Sequence, residues 1–282
     1  MTATATATST REQTRQPRQR TPLAATATGR LVLGLCGLAS VALLLELVPR
    51  VGLVDERYLP PTSAIAAALG VLVTDATFWT AIGQTLRTWA IGLILAMVVG
   101  VVLGLLIGSS RWATRFTSST IEFLRPIPSV ALIPLAILVY GTGMQATLLL
   151  VVYASFWQVL LQVLYGVQDI DPVARDTARS FGLGRIARAR VVTWPTALPY
   201  VVTAFRLAAS VALILALTGE LIIGTPGLGQ RVALAEQSGA VDRMYALILV
   251  TGLLGVAVNL GARALERRVL RWHPSIRREA AA

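Results

Sequence analysis

Residues 81–108 run for 28 positions with one charged side chain, Arg87, and no proline. A helix of that length is about 42 Å long, more than the roughly 30 Å of a bilayer's hydrocarbon core. Backbone in lipid must satisfy its own hydrogen bonds, so the segment predicts a membrane-spanning helix. Residues 31–48, 118–140, 144–167, 196–223 and 244–261 read the same way by length and scarcity of charge. The whole chain agrees, with 55% hydrophobic and 14% charged residues and a mean hydropathy of +0.69. Soluble domains carry about 25% charged residues. The expectation is an all-α polytopic membrane protein with about six transmembrane helices. Residues 64–73 make a shorter apolar-faced helix, introduced by a turn and N-cap at residues 58–63, and are expected to lie at the interface.

The basic residues orient these helices. All 25 are arginine, and the net charge is +11. With the N-terminus inside and six crossings, eighteen arginines fall on inner segments and four on outer ones. That is the positive-inside pattern, and it accounts for most of the charge without nucleic acid. Expected divisions are a disordered basic tail (1–28), a first helix with an outer segment (29–80), a core of five helices (81–265) and a basic tail (266–282). The apolar run at 31–48 is long for a signal peptide and starts late, so it reads as a helix that stays. Both termini are expected on the cytoplasmic side of a bacterial cell membrane.

This orientation puts the polar stretch 171–195, DPVARDTARSFGLGRIARARVVTWP, in the cytoplasm. Asp171 can cap a helix whose first position is Pro172, which has no N–H to leave unpaired. A short helix over 173–179 should end at Gly182 and Gly184, where left-handed backbone is free of strain. A second amphipathic run, 185–192, precedes a break at Pro195. Two small helices between long apolar ones form a knob at the membrane surface.

Much chemistry is excluded by the inventory. Without lysine there is no Walker A or Schiff-base residue. The single histidine, His273, lies in the C-terminal tail, and Cys36 is the single cysteine, which excludes a His/Cys metal site and an internal disulfide. The turns 182–184 and 227–229 are Gly-Leu-Gly, but no strand–turn–helix context makes them nucleotide motifs. Gly100, Gly104 and Gly108 give one helix a smooth face for close packing. Pro126, Pro128 and Pro134 should kink or break the helix over 118–140 near its start. Arg87, Arg206 and Glu220 are charges in or near the membrane, and such charges are functional candidates for a pathway or gate. Arg87 can reach Glu220 across helices, and Arg206 with Arg87 would give a lining suited to anions.

The loop also resembles the cytoplasmic E-A-A-x3-G-x9-I-x-L-P motif of binding-protein-dependent ATP-binding-cassette permeases. The match runs through Asp176, Thr177, Ala178 and Gly182 to Val192, Trp194 and Pro195, with Asp, Thr, Val and Trp replacing Glu, Ala, Ile and Leu. Residues 124–137 (LRPIPSVALIPLAI) and 59–64 (LPPTSA) are similar to the nitrate, sulfonate and taurine branch, as is Gly219-Glu220 followed by Gly227-Leu228-Gly229. Together the resemblance covers residues 55–270.

It implies the type I importer permease fold, with a coupling helix that docks on an ATP-hydrolysing subunit through Asp176, Thr177, Ala178, Arg179, Ser180, Phe181, Gly182, Leu183 and Gly184. The chain itself would be non-catalytic and hold no cofactor, ATP being bound by that partner. Further partners implied are an extracytoplasmic solute-binding protein and a second permease chain, and the solute would be a small anion. A secondary transporter or channel would share the hydropathy. It should, however, carry membrane-buried carboxylates for ion coupling, and only Glu46 and Glu220 come near.

Overall fold

The computed structural model describes residues 27–271, and every regular element in them is helical. α1 (Ala27–Arg50) is followed by the short α2 (Thr62–Thr74) and the long α3 (Ala76–Gly108). Then come α4 (Arg111–Leu124), a 3-10 turn (Ser129–Leu132) leading into α5 (Ile133–Tyr140), and α6 (Met144–Gln168). The polar loop supplies α7 (Pro172–Ser180) and α8 (Arg185–Arg188), and a π-helical turn (Ala189–Thr193) runs on into α9 (Trp194–Ile223). α10 (Leu228–Gln237) and α11 (Val241–Val269) follow. Residues 1–26 and 272–282, which hold most of both expected basic tails and His273, lie outside the described residues.

α1, α3, α6, the stretch through α9, and α11 are long and apolar enough to cross a membrane. The third expected span differs from its reading. α4 and the helical stretch ending in α5 meet at an 80° bend, so 118–140 is a broken pair and counts as a sixth span only if both halves are taken together. The cause is local. Pro126 and Pro128 occupy the break, and Pro134 sits in the first turn of α5, where its missing N–H leaves nothing unpaired.

Pro195 also departs from expectation. It does not break the chain but occupies the first turn of α9, and helix continues through it from α8 by way of the π turn. α2, expected at the interface, has no side-chain cap of its own. Glu46 of α1 does that work across 17 residues, accepting hydrogen bonds of 2.9 Å from both the N–H and the hydroxyl of Ser63. Arg50 pairs with the same carboxylate at 2.6 Å. Beyond this joint and a bond from Thr62 to the Ala42 carbonyl, α1 leaves nearly all its apolar surface uncovered, Cys36 included.

The core lies where α3, α6 and α9 pack along their lengths, around Leu93, Val151, Val159, Val163, Ala204, Ala208 and Ala212. A second apolar cluster, with Leu72, Phe78, Leu228 and Leu247, joins α2, the start of α3, α10 and α11 at the end opposite the polar loop. Alanines recur every four residues on α9, and glycines do so on α3, so the three central helices meet almost backbone to backbone.

Candidate functional site

The loop knob is held by local chemistry. Asp171 accepts the Val173 N–H at 2.8 Å, and Pro172 opens α7. At the other end Gly182 has φ of 72°, so its N–H reaches the Arg179 carbonyl (2.9 Å) while the Leu183 N–H reaches Ala178 (3.1 Å). That bond pair is a Schellman closure, which needs a left-handed residue at Gly182. Gly184, expected to be left-handed too, has φ of −63° and instead precedes α8 in extended backbone.

α7 turns Ala178 inward, while Val173, Phe181 and Ile186 stand 70%, 81% and 85% exposed on the knob. Asp176 and Arg179 form an exposed pair at 3.3 Å, Thr177 and Ser180 share the knob's exposed polar surface, and Leu183 is half-buried. Val192 and Pro195 belong to the helical run that joins this surface directly to α9.

Near the far end of α9, Glu220 is fully buried. Its Oε2 accepts hydrogen bonds from the Thr85 hydroxyl (2.8 Å) and the Gly229 N–H (3.0 Å). The Thr85 oxygen in turn accepts the Leu228 N–H at 2.9 Å. A carboxylate and a hydroxyl from two other helices thus cap the first turn of α10, which has no side-chain cap of its own. Backbone crowds the carboxylate. A Cβ at Gly227 would lie 2.4 Å from both Glu220 oxygens, and one at Gly229 would lie 2.4 Å from the Leu217 carbonyl. This explains the second Gly-Leu-Gly turn. Glu220 Oε1 has no hydrogen-bond partner among the described residues.

The other two membrane charges do not join Glu220. Arg87 is two positions from Thr85, about 200° around the helix, so it faces away from the side that holds Glu220 and is exposed. Arg206 pairs at 3.1 Å with Glu266 of α11, and both are partly buried. Glu266 was missed because the sequence reading ended its last span before it. The far end also has a hub at Asp75. This residue caps α3 through the Thr77 N–H (2.8 Å) and pairs with Arg231 (3.4 Å) and Arg243 (3.6 Å). Arg231 also donates to the Thr77 hydroxyl. Hydrogen bonds from Thr77, then the Arg231 guanidinium, hold the Asp75 carboxyl below its ordinary range. Beside this hub a 760 Å³ groove opens between α2 and the start of α11. Among the described residues no group of His, Cys, Asp and Glu side chains is arranged to hold a metal.

The profile of the binding-protein-dependent transport system inner membrane component family matches residues 96–271. The taurine transport system permease protein TauC of Escherichia coli is 31% identical over 229 residues, 79% of this chain and 83% of that protein. The putative aliphatic sulfonates transport permease protein SsuC of the same organism is 29% identical, covering 82% and 88%. The nitrate import permease protein NrtB of Leptolyngbya laminosa is 25% identical, covering 70% and 71%. Among solved structures, an inward-facing form of the MetNI methionine ABC transporter superposes with a TM-score of 0.58 at 20% identity, covering 68% of this chain and 96% of that one. The likeness there is one of fold.

Proposed function

We propose that this chain, which belongs to the family of binding-protein-dependent transport system inner membrane components, forms the pathway for a small oxyanion, of the sulfonate, taurine or nitrate kind. It is a permease subunit of an ATP-binding-cassette importer, a transport component of the inner membrane. A separate subunit hydrolyses ATP, an external protein delivers the solute, and a second permease chain, an identical copy in the simplest assembly, completes the pathway. The loop end faces the cytoplasm, in keeping with the arginine distribution.

One observation carries the coupling role of residues 171–195. Val173, Phe181 and Ile186 expose large apolar side chains on a loop that holds five arginines. Exposed apolar groups on a strongly charged surface mark a protein contact. Asp176 to Gly184, flanked by Val173 and Ile186, form the docking surface, and movement of the docked partner passes through the π turn into α9. α9 ends beside Glu220, so displacement of the knob is felt where α10 is capped. Arg87 is the more available of the two arginines for an anion, because Arg206 already has Glu266.

The coupling test uses the assembled transporter. Phe181→Glu with Ile186→Glu should abolish co-purification of the ATPase subunit while the chain still accumulates in membranes. Full retention of the ATPase would overturn the docking role. For the solute, ATPase activity of the reconstituted transporter with its binding protein should rise with taurine, an alkanesulfonate or nitrate. A response only to a neutral or cationic ligand would refute the oxyanion reading.

A further inference from the structure

At the loop end, a 330 Å³ cavity opens between the end of α3, the start of α4, the end of α6 and the start of α7. Arg111, Arg115 and Arg175 line it with Thr114 and Gln168, and none of its lining residues is acidic. None of the three guanidinium groups has an ion-pair or hydrogen-bond partner among the described residues. Arg111 and Arg115 are one helical turn apart, a spacing at which like charges destabilise a helix unless an anion lies between them. Arg175 is three residues from the buried Ala178, on the half-buried side of α7 and away from the exposed Val173 and Phe181. A partner docked on the knob would therefore leave it uncovered. Planar guanidinium groups suit the oxygens of a phosphate.

Two neighbouring features suit a phosphate carried by an amphiphile. Trp112 and Phe116, each next in sequence to one of the α4 arginines, stack at 5.3 Å and are 74% and 72% exposed. Such a pair beside arginines is what the headgroup boundary of a bilayer accommodates. Past Thr114 and Gln168, which line both spaces, a 490 Å³ groove runs between α4 and α6, with Ile121, Leu161 and Leu164 on its apolar side and Glu122 and Arg125 also lining it. A charged mouth thus leads into a partly apolar slot.

We propose that this mouth and slot hold an anionic phospholipid, its phosphate on Arg111, Arg115 and Arg175 and an acyl chain along Ile121, Leu161 and Leu164. The bound lipid bridges α4 to the knob helix. The inference rests on the reading that the loop end lies at a membrane face.

The test is native mass spectrometry of the full chain purified with its ATPase subunit, titrated with phosphatidylglycerol, phosphatidylcholine or inorganic phosphate. Each arginine contributes roughly fivefold, so phosphatidylglycerol should bind about a hundredfold more tightly than phosphatidylcholine. Arg111→Gln/Arg115→Gln/Arg175→Gln should lose that preference, and Arg175→Gln alone, the milder change, should lose about fivefold of it. Arg267→Gln/Arg268→Gln, which removes charge at the same end but outside the cavity, should keep it. Equal binding of the two lipids, or undiminished preference in both cavity variants, overturns the proposal. So does displacement of phosphatidylglycerol by millimolar phosphate, which would make this a site for free anions. ATPase co-purification, read in the same samples, reports separately on the importer reading.

Discussion

Thr85 passes two hydrogen bonds through one hydroxyl, accepting the Leu228 N–H and donating to Glu220. Thr85→Val keeps the shape but strands a buried N–H and weakens the hold on a buried carboxylate. The expected loss is about 1–3 kcal/mol, read as a lower unfolding temperature in detergent, with Thr85→Ser close to the parent. Equal stability of both variants would show that the hydroxyl carries nothing. Little of this was legible beforehand. A carboxylate among apolar residues invites a search for arginine, and Arg87 lies within reach by residue count. Helix phase decides otherwise, because the face that Thr85 presents to Glu220 is the face Arg87 cannot share. At Gly182 backbone conformation decides instead, with φ of 72°. Nothing lies within 4 Å of where its Cβ would be, so a side chain there meets backbone strain and no clash.

The seam between α3 and α6 shows what a repeat reveals and what it conceals. Gly100, Gly104 and Gly108 were visible as a smooth stripe, but their partners were not. The stripe also extends to Gly92 and the fully buried Ala96, and its glycines face Val151, Val159, Val163 and Val167, which are spaced by multiples of four residues. A Cβ at Gly100 would lie 2.8 Å from Cβ of Val159, a stiff β-branched neighbour that cannot swing aside. Gly100→Ala should therefore destabilise the protein by about 1–3 kcal/mol. Val159→Ala in the same chain should recover part of that loss, because it removes Cγ1, which would also lie 2.8 Å away, although Cβ stays. Additive effects in this double-mutant cycle would show that the two residues are not in contact. The bend after α4 belongs to the same scale. Hydropathy averages across residues 118–140 and reports one span, whereas the prolines act on individual hydrogen bonds and divide it.

Across the whole molecule, the sequence carries the architecture because lipid leaves few choices: long apolar helices, arginines gathered at one end, a capped polar knob between two spans. What it could not carry were the ties between distant segments, such as Arg206 with Glu266, Glu46 with Ser63, and Asp75 with Arg231 and Arg243. Each depends on which helices are neighbours. The Asp75 hub joins the start of α3 to α10 and α11, and so it clamps the end opposite the knob. Its carboxyl titrates below the ordinary value near 3.8 because Thr77 and Arg231 favour the charged form. A group shifted downward stabilises the fold fully above its unfolded-state pKa, and that contribution fades as pH falls through the lower folded-state value. Thermal unfolding in detergent should therefore show Asp75→Asn below the parent at neutral pH, with the gap narrowing as pH falls below about 4. A gap that stayed constant over this range would mean that the hub holds by shape and packing, since a contribution from charge must vanish once the carboxyl is protonated.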